Sequence, residues 1–416
     1  MRARIHRGAH EIGGNCIEVE SAGSRLLLDL GWPLDLPLDA DLPLPDVAGL
    51  ADADPSLVGV VITHPHLDHY GLARKVRAAV PLYVGEAAHR IMREAAFFTG
   101  TGLTVEPAGF LRHREPFTLG PFTITPWLID HSAFDSYSIL VEADGRRLFY
   151  TGDVRAHGRK PGTFLELLSE PPANVDVLVM EGTNIRPGAD VGERAVTETE
   201  IENACVETFD ATSGMVLAIF SPQNIDRLVT MYRAAIRSGR DLVLDLYGAA
   251  VAAATGRETI PQASWERVRI YLPNSQRTKV IQSGEFHRTD AVRPRRIYAE
   301  ELRERSGKLV TIFRTSMTRE MEKIGCLADA HAVWSMWPGY LQEPSGEKLK
   351  AFLDRLGIGM TIHHASGHAA IPDLQRFVAA VAPGKVVPIH SSAADRFPEF
   401  VPGVELHGDG EWWNVG

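Results

Sequence analysis

The run Thr63-His64-Pro65-His66-Leu67-Asp68-His69 constrains this chain more than any other seven residues in it. Three histidines and an aspartate fall within six positions, at the end of an apolar strand predicted over Val58–Thr63. With 16 His among 416 residues, an H-x-H-x-D-H pattern arises by chance in roughly one such chain per thousand. Neutral imidazoles and a carboxylate are the ligands that borderline divalent metals such as Zn²⁺ favour. His64 and His66, two apart in the turn after the strand, can face one ion. Asp68 and His69, where the chain enters a helix, can face a second. The competing reading is four polar residues sharing a surface turn by accident.

Two further residues stand where such a site needs them. His131 lies on a loop before the strand Ser138–Glu142, and Asp153 follows the strand that ends at Tyr150. A carboxylate at a strand end can bridge two cations and hold them ~3.5–4 Å apart. Taken singly, His131 is an ordinary surface or core histidine and Asp153 a turn residue. Beside the first motif both read as ligands.

Length and composition fix the setting. A chain of 416 residues is too long for one ordinary core and implies two domains or three. The longest apolar runs, such as Val216–Phe220 and Val177–Met180, are strand-sized, far short of the ~18 residues of a membrane span. No apolar segment follows the basic residues of MRARIHRGAH, so no signal peptide is expected. Cys16, Cys205 and Cys326 are too few and too scattered for a disulfide framework or a cysteine zinc site, and they suit a reducing cytoplasm. The net charge of −10 argues against a passive nucleic-acid coat. It is unevenly spread: residues 276–319 carry eleven Lys/Arg against five Asp/Glu, which fits a confined anionic substrate or, equally, a solvated basic face.

The first 185 residues read as short strands and tight turns, with a hairpin at Cys16–Glu20 and Arg25–Leu30, a helix at Leu72–Val80, and strands at Phe117–Trp127, Arg147–Thr151 and Val175–Met180. The rhythm then changes. Helices at Val196–Thr212, Ile225–Ser238 and Tyr247–Thr255 alternate with strands at Met215–Ser221, Asp241–Leu246 and Arg269–Leu272, the pattern of βαβ units and a parallel sheet. Further strands are expected at Lys308–Arg314 and Ala332–Met336, and a Ser-capped helix at Ser345–Leu356. The tail returns to Met360–His364, Ile371–Val381, Lys385–Ile389 and a last strand near Gly410–Val415.

On these residues the sequence resembles the metallo-β-lactamase fold, with Asp29 in Leu28-Asp29-Leu30-Gly31 matching that fold's first aspartate, which orients a ligand histidine. Glu181 in Met180-Glu181-Gly182, His368 in His364-Ala365-Ser366-Gly367-His368 and His390 in Pro388-Ile389-His390-Ser391 resemble the additional acidic and histidine motifs of the β-CASP nuclease branch. The His-Ala-Ser-Gly-His form, with 221–228 and 335–340, is most similar to ribonuclease J-like proteins. The resemblance implies an αββα sandwich (1–185), interrupted by a Rossmann-like β-CASP insert (186–358) and completed by 359–416. It also implies that His390 completes the second metal's ligands, that His368 approaches the scissile phosphate and that Glu181 hydrogen-bonds a histidine. Gly182 departs from the Ser common in the family. No further domain follows Gly416, so dimerisation through one is not expected, and a homodimer by another route stays open.

The reading is a two-metal phosphodiesterase acting on single-stranded RNA, in which an activated hydroxide attacks phosphorus in line. His64, His66 and His131 would hold one ion, Asp68, His69 and His390 the other, with Asp153 between them and Asp68 also orienting the hydroxide; Zn²⁺ and Mn²⁺ both suit the ligands. His368 would stabilise charge or protonate the leaving oxygen. His364, Ser366 and Gly367 would receive a 5′-phosphate, which implies 5′→3′ exonuclease action, with endonuclease action the alternative. No membrane is involved. The rivals are a DNA nuclease of the same branch, a small-molecule hydrolase such as a thioesterase or lactonase, and a silent scaffold. His10, His113, His157, His287 and His331 read as surface or structural histidines. Trp334 and Trp337 read as core.

Overall fold

The computed structural model describes residues 1–102 and 104–416. These fall into two compact units: Met1–Ala96 with Thr101–Ala195 and Gly367–Gly416, and Phe97–Gly100 with Val196–Ser366. Among the described residues no helix is long and apolar enough to cross a membrane.

The first unit is built on two sheets. One runs, edge to edge, through Trp412–Asn414, Arg2–Arg7, Cys16–Ser21, Ser24–Leu28, Leu57–Val61, Leu82–Gly85 and Gly109–Leu111. The other runs through Lys385–Ile389, Val177–Glu181, Arg146–Tyr150, Tyr137–Ala143, Phe122–Leu128 and Phe117–Leu119. Strand alternation decides which residues face which layer. Leu26, Leu28 and Val61 meet Phe122, Ile124, Ile139, Val141, Val177 and Ile389 between the sheets. Their neighbours Leu27, Val60 and Ile62 turn to the opposite face and pack with Ala88 and Met92 of the helix Glu86–Thr99. On the outer face of the second sheet, Leu140, Phe149 and Leu178 pack against Phe164 of helix Pro161–Ser169 and Leu374 and Phe377 of helix Ile371–Val381. The result is the helix–sheet–sheet–helix sandwich that the family resemblance implied.

The second unit holds a six-stranded, wholly parallel sheet in the order Val268–Tyr271, Asp241–Asp245, Leu309–Ile312, Val216–Ile219, His331–Trp334, Gly359–Ile362. Apart from the edge strand Gly359–Ile362, which is half-buried to exposed, its strands are largely apolar and buried, with helices such as Glu198–Ala211 and Ile225–Arg237 alternating with them along the chain.

The sequence reading needs several corrections. Leu72–Val80 is not a helix: it holds a single 3₁₀ turn, Ala73–Lys75, after the four-residue helix Leu67–Tyr70. The Leu72 amide is taken by the Leu30 carbonyl, and Val80 precedes a proline, which disfavours helical backbone. Phe117–Trp127 is two antiparallel strands folded at Gly120-Pro121. Helix Pro344–Arg355 starts from Glu343 without a side-chain cap, so Ser345 lies inside it. Trp337 is not core: it is 59% exposed beside the exposed Tyr340, whereas Trp334 is buried. The helices Glu86–Thr99 and Asn274–Ser283 were not anticipated.

Candidate metal centre

Strand order explains how residues as far apart in sequence as His64 and His390 meet. Arg146–Tyr150, Val177–Glu181 and Lys385–Ile389 are adjacent and parallel, with Tyr150 opposite Val179 and Glu181 opposite Ile389. Asp153, Glu181 and His390 therefore leave the same edge of one sheet. From the facing sheet, Leu28 pairs with Val61, so Asp29 and Thr63 emerge together; the Asp29 carboxylate accepts from the Thr63 amide at 2.7 Å. Asp29 and His390 both hold left-handed backbone (φ 59° and 54°), a strain of the kind concentrated at functional sites. The Asp68 loop lies so close to Gly31 that a β-carbon there would stand 1.7 Å from the Asp68 carbonyl oxygen.

Two groups of donor atoms result: His64, His66, His131 and Asp153, and Asp68, His69, His390 and Asp153. Within each group the donor atoms lie within 4.8 Å of one another. Asp153 belongs to both. Its Oδ2 is 3.6 Å from His64 Nε2, 3.3 Å from His69 Nε2 and 3.8 Å from both His131 Nε2 and His390 Nε2. His66 Nδ1 and His131 Nε2 face each other at 3.1 Å. His64 Nε2, His69 Nε2 and Asp153 Oδ1 are buried without a hydrogen-bond partner among the described residues. Buried polar atoms are nearly always bonded, so orphaned ring nitrogens around one carboxylate fit the coordination of a cation.

The electrostatics follow from burial and crowding. Burial, reinforced by neighbouring histidines, pushes His64 and His131 well below the ordinary histidine range. Burial lowers His66 and His390 too. Neutral rings are what a metal requires. Burial also opposes charge on His69, but Asp153, Asp29 and Asp68 outweigh it and hold that ring well above the range. Burial opposes charge on Asp153 as well, yet His390, His69 and His368 keep its carboxyl well below the usual carboxylate range.

His368 stands apart from the others. Its Nδ1 is 3.2 Å from Glu181 Oε1 and 3.1 Å from Thr183 Oγ1. Its side chain is 20% exposed, against 0–1% for His64, His69, His131 and His390. Burial works against its charge, but Glu181 and Asp153 raise it to about 9. Gly182 lacks a side chain for a local reason: a β-carbon would stand 2.2 Å from the Phe397 ring.

Residues 25–212 match the beta-lactamase superfamily domain, and residues 360–397 the Zn-dependent metallo-hydrolase RNA specificity domain. Ribonuclease J of Mycobacterium tuberculosis (strain CDC 1551 / Oshkosh) is 26% identical over 250 residues, 58% of this chain and 43% of that protein. The fold is that of the metallo-β-lactamase sandwich, and the chain is similar to ribonuclease J. An RNase J-like protein of Methanocaldococcus jannaschii is 25% identical over 258 residues, 57% of this chain and 55% of that one. The match thus spans about half or less of these relatives' length. The crystal structure of a protein of unknown function from Enterococcus faecalis V583 shares the fold across 99% of both chains, with a TM-score of 0.73 and 21% identity.

The structure gathers His64, His66, Asp68, His69, His131, Asp153 and His390 in one place, with Glu181 and His368 beside them. Gly367 contributes its carbonyl oxygen, 2.7 Å from His131 Nδ1. His364 and Ser366 belong to the end of the second unit. The basic segment is partly spent internally: Lys279 and Arg295 bond backbone carbonyls, and Arg288, Arg305 and Arg314 pair with Glu285, Asp241 and Asp245. Sequence reading missed Asn15 and Tyr150, which bond the far sides of the cluster. Neither carries a motif; both are visible only as polar atoms at inward-facing positions.

Proposed function

We propose that the chain is a metal-dependent ribonuclease that hydrolyses phosphodiester bonds of single-stranded RNA. The observation that carries this is the pair of histidine–aspartate groups sharing Asp153, in which His64 Nε2 and His69 Nε2 have no hydrogen-bond partner among the described residues. The RNA specificity domain matched by 360–397 and the ribonuclease J relatives support the substrate. His64, His66 and His131 would hold one divalent ion and Asp68, His69 and His390 the other, with Asp153 shared; Zn²⁺ or Mn²⁺ fits. Bound, such a pair supplies Lewis-acid stabilisation of phosphate oxygens and a water acidic enough to attack at neutral pH.

The chain's own groups do the rest. Asp68, whose side chain is 12% exposed, orients the attacking water. Glu181 holds His368 through Nδ1, and the ring delivers a proton to the leaving 3′ oxygen or steadies charge on the phosphate. His364, Ser366 and Gly367 receive a 5′-monophosphate, and the mode is 5′→3′ exonucleolytic. The unit formed by Met1–Ala96, Thr101–Ala195 and Gly367–Gly416 carries the metals, and the other unit is the insert.

The test is cleavage of end-labelled linear RNA, circular RNA and matched DNA by metal-stripped protein with Zn²⁺ or Mn²⁺ restored. Linear 5′-monophosphate RNA should be degraded to mononucleotides only with metal present. Rapid cutting of the circle would replace the exonuclease mode with an endonuclease one, and faster cutting of DNA would overturn the substrate. His368→Ala should keep its metal and lose about 10²–10⁴-fold in rate, the range of a positioned acid–base group. Loss of metal with His368 would make it a ligand instead.

A further inference from the structure

Behind the metal-facing atoms, one buried chain of hydrogen bonds joins histidines of both groups. His390 Nδ1 lies 2.9 Å from Asn15 Oδ1. Asn15 Nδ2 donates to the Tyr150 hydroxyl at 3.1 Å, which donates to Asp29 Oδ2 at 2.9 Å. His69 Nδ1 meets the same Oδ2 at 2.7 Å. Thr63 Oγ1 reaches Asp29 at 2.9 Å and His64 Nδ1 at 3.0 Å. Asn15, Asp29, Thr63, His64, His69 and Tyr150 are fully buried and His390 is 1% exposed.

We propose that Asn15 and Tyr150 are positioning residues of the metal centre: anchored on Asp29, they fix His390 as the Nδ1–H tautomer and so turn its Nε2 lone pair toward the cluster. The inference rests on the metal reading above. Its direction comes from donor and acceptor inventory alone. An ionised carboxylate only accepts, so the Tyr150 O–H must donate to Asp29. The Tyr150 oxygen then accepts, so the Asn15 atom facing it is the amide nitrogen. That leaves the Asn15 carbonyl for His390, whose Nδ1 must carry the proton. The same logic makes His69 Nδ1 a donor to Asp29 and His64 Nδ1 a donor to Thr63. Three histidines thus take their tautomer from one aspartate, two of them through intermediaries.

Chain geometry explains the choice of residues. Tyr150 ends the strand Arg146–Tyr150 with its ring in the layer between the sheets, so its hydroxyl is the one polar atom it brings to that layer. Asn15 is fixed by its backbone, which donates to the Asp68 carbonyl and accepts from the Gly31 amide. One group argues the other way: the Gly13 amide lies 3.2 Å from His390 Nδ1 and would need a lone pair there. That tautomer would put a hydrogen on Nε2 and close it to a cation, so the two arrangements are separable by measurement.

The experiment uses full-length protein, chelator-competition titration with Zn²⁺, and ¹⁵N spectra of the histidine rings in metal-free protein, with His390 assigned by its loss in His390→Gln. The parent should take up two ions and show His390 protonated at Nδ1. Asn15→Leu should weaken one ion by about 10–100-fold, the usual cost of losing a group that orients a metal-ligating histidine, and leave the other within about threefold. Asn15→Asp, which keeps the acceptor, should restore binding. Tyr150→Phe should cost less than Asn15→Leu, and adding it to Asn15→Leu should cost nothing more, because both act through one chain. If Asn15→Leu fails to fold, Asn15→Asp, Tyr150→Phe and the ring spectra still decide. Two ions bound equally well by parent and Asn15→Leu, or His390 protonated at Nε2 in the parent, would overturn the relay. A parent that takes up no zinc but shows the Nδ1–H ring would overturn the metal reading instead.

Discussion

Each unit buries a cluster of charged side chains, and the two clusters differ in what they leave over. In the second unit Arg227 is fully buried, and its guanidinium is used up by neighbours. Nε and Nη2 bond Glu198 at 3.2 and 3.0 Å, while Nη1 bonds the Ser335 carbonyl at 2.9 Å, the Ser335 hydroxyl and the His363 carbonyl. Thr230 donates to Glu198 at 2.6 Å. In the first unit the far side of the histidine cluster is equally well bonded, but on its near side His64 Nε2, His69 Nε2 and Asp153 Oδ1 have no hydrogen-bond partner among the described residues. A buried cluster complete in itself is architecture; one complete on one side only is waiting for an outside atom. Arg227 and Ser335 come from the two segments, 221–228 and 335–340, that resemble ribonuclease J, so that part of the likeness reflects how the insert is clamped together.

The comparison breaks most visibly if the metal is removed. On the proposed two-ion reading, Asp153→Ala should abolish uptake of both ions, measured by plasma mass spectrometry, and lower RNA cleavage by ~10²-fold or more, since that reading makes the nucleophile depend on both. The parent should also be stabilised by added Zn²⁺, by about 4 kcal/mol at a thousandfold excess over Kd. The variant should show no such rise in melting temperature. A variant that retains full metal and full activity would remove the distinction between the two clusters.

How legible each cluster was in the sequence follows from its chemistry. His64, His66, Asp68 and His69 were readable because one turn carries them, and metal coordination requires rare residue types at close spacing. His131 and Asp153 could be placed only beside that motif, and His390 only through the family resemblance, because a strand order no local pattern encodes brings them together. The parallel sheet of the insert was legible from βαβ rhythm, whereas the αββα layering came from the family resemblance and not from any local pattern. Helix Glu86–Thr99 was not: it follows strand Leu82–Gly85 without a turn and without an N-cap signal. Asn15, Tyr150 and the Arg227–Glu198 pair were also illegible, since an isolated polar residue looks the same in sequence whether it bonds a histidine, a buried ion partner or a solvent molecule.

The second prediction addresses the complete cluster. Arg227→Met removes one partner and leaves Glu198 charged and buried, so denaturant unfolding should show a loss of about 3–5 kcal/mol. Replacing both, Arg227→Met with Glu198→Leu, should recover most of that, because paired apolar groups of similar volume carry no desolvation cost. Zinc uptake should be unchanged in both variants. If the double variant is as unstable as the single one, the ion pair is required for more than its own satisfaction, and the architectural reading of this cluster fails.

The smallest effect separates satisfaction from location. Glu18 lies in the first unit, as the metal cluster does, but it is complete like Arg227. Its buried carboxylate accepts from Arg4 at 2.6 Å and Arg25 at 2.7 Å and meets His6 at 2.8 Å. Burial alone would raise its pKa, but bonds from His6, Arg4 and Arg25 outweigh burial and lower it from 4.5 to about 2. A carboxyl whose folded pKa is depressed contributes stability above its unfolded pKa, and loses that contribution as pH falls toward the folded value. Glu18→Gln should therefore be less stable than the parent by about 2 kcal/mol at neutral pH, the scale of a charge-assisted hydrogen bond. The gap should close between pH 4.5 and about 2. Chelator should leave the gap unchanged, because nothing about Glu18 awaits a ligand. A gap that is flat with pH, or one that appears only when metal is bound, would mean that the two units differ by position and not by whether their buried charges are answered.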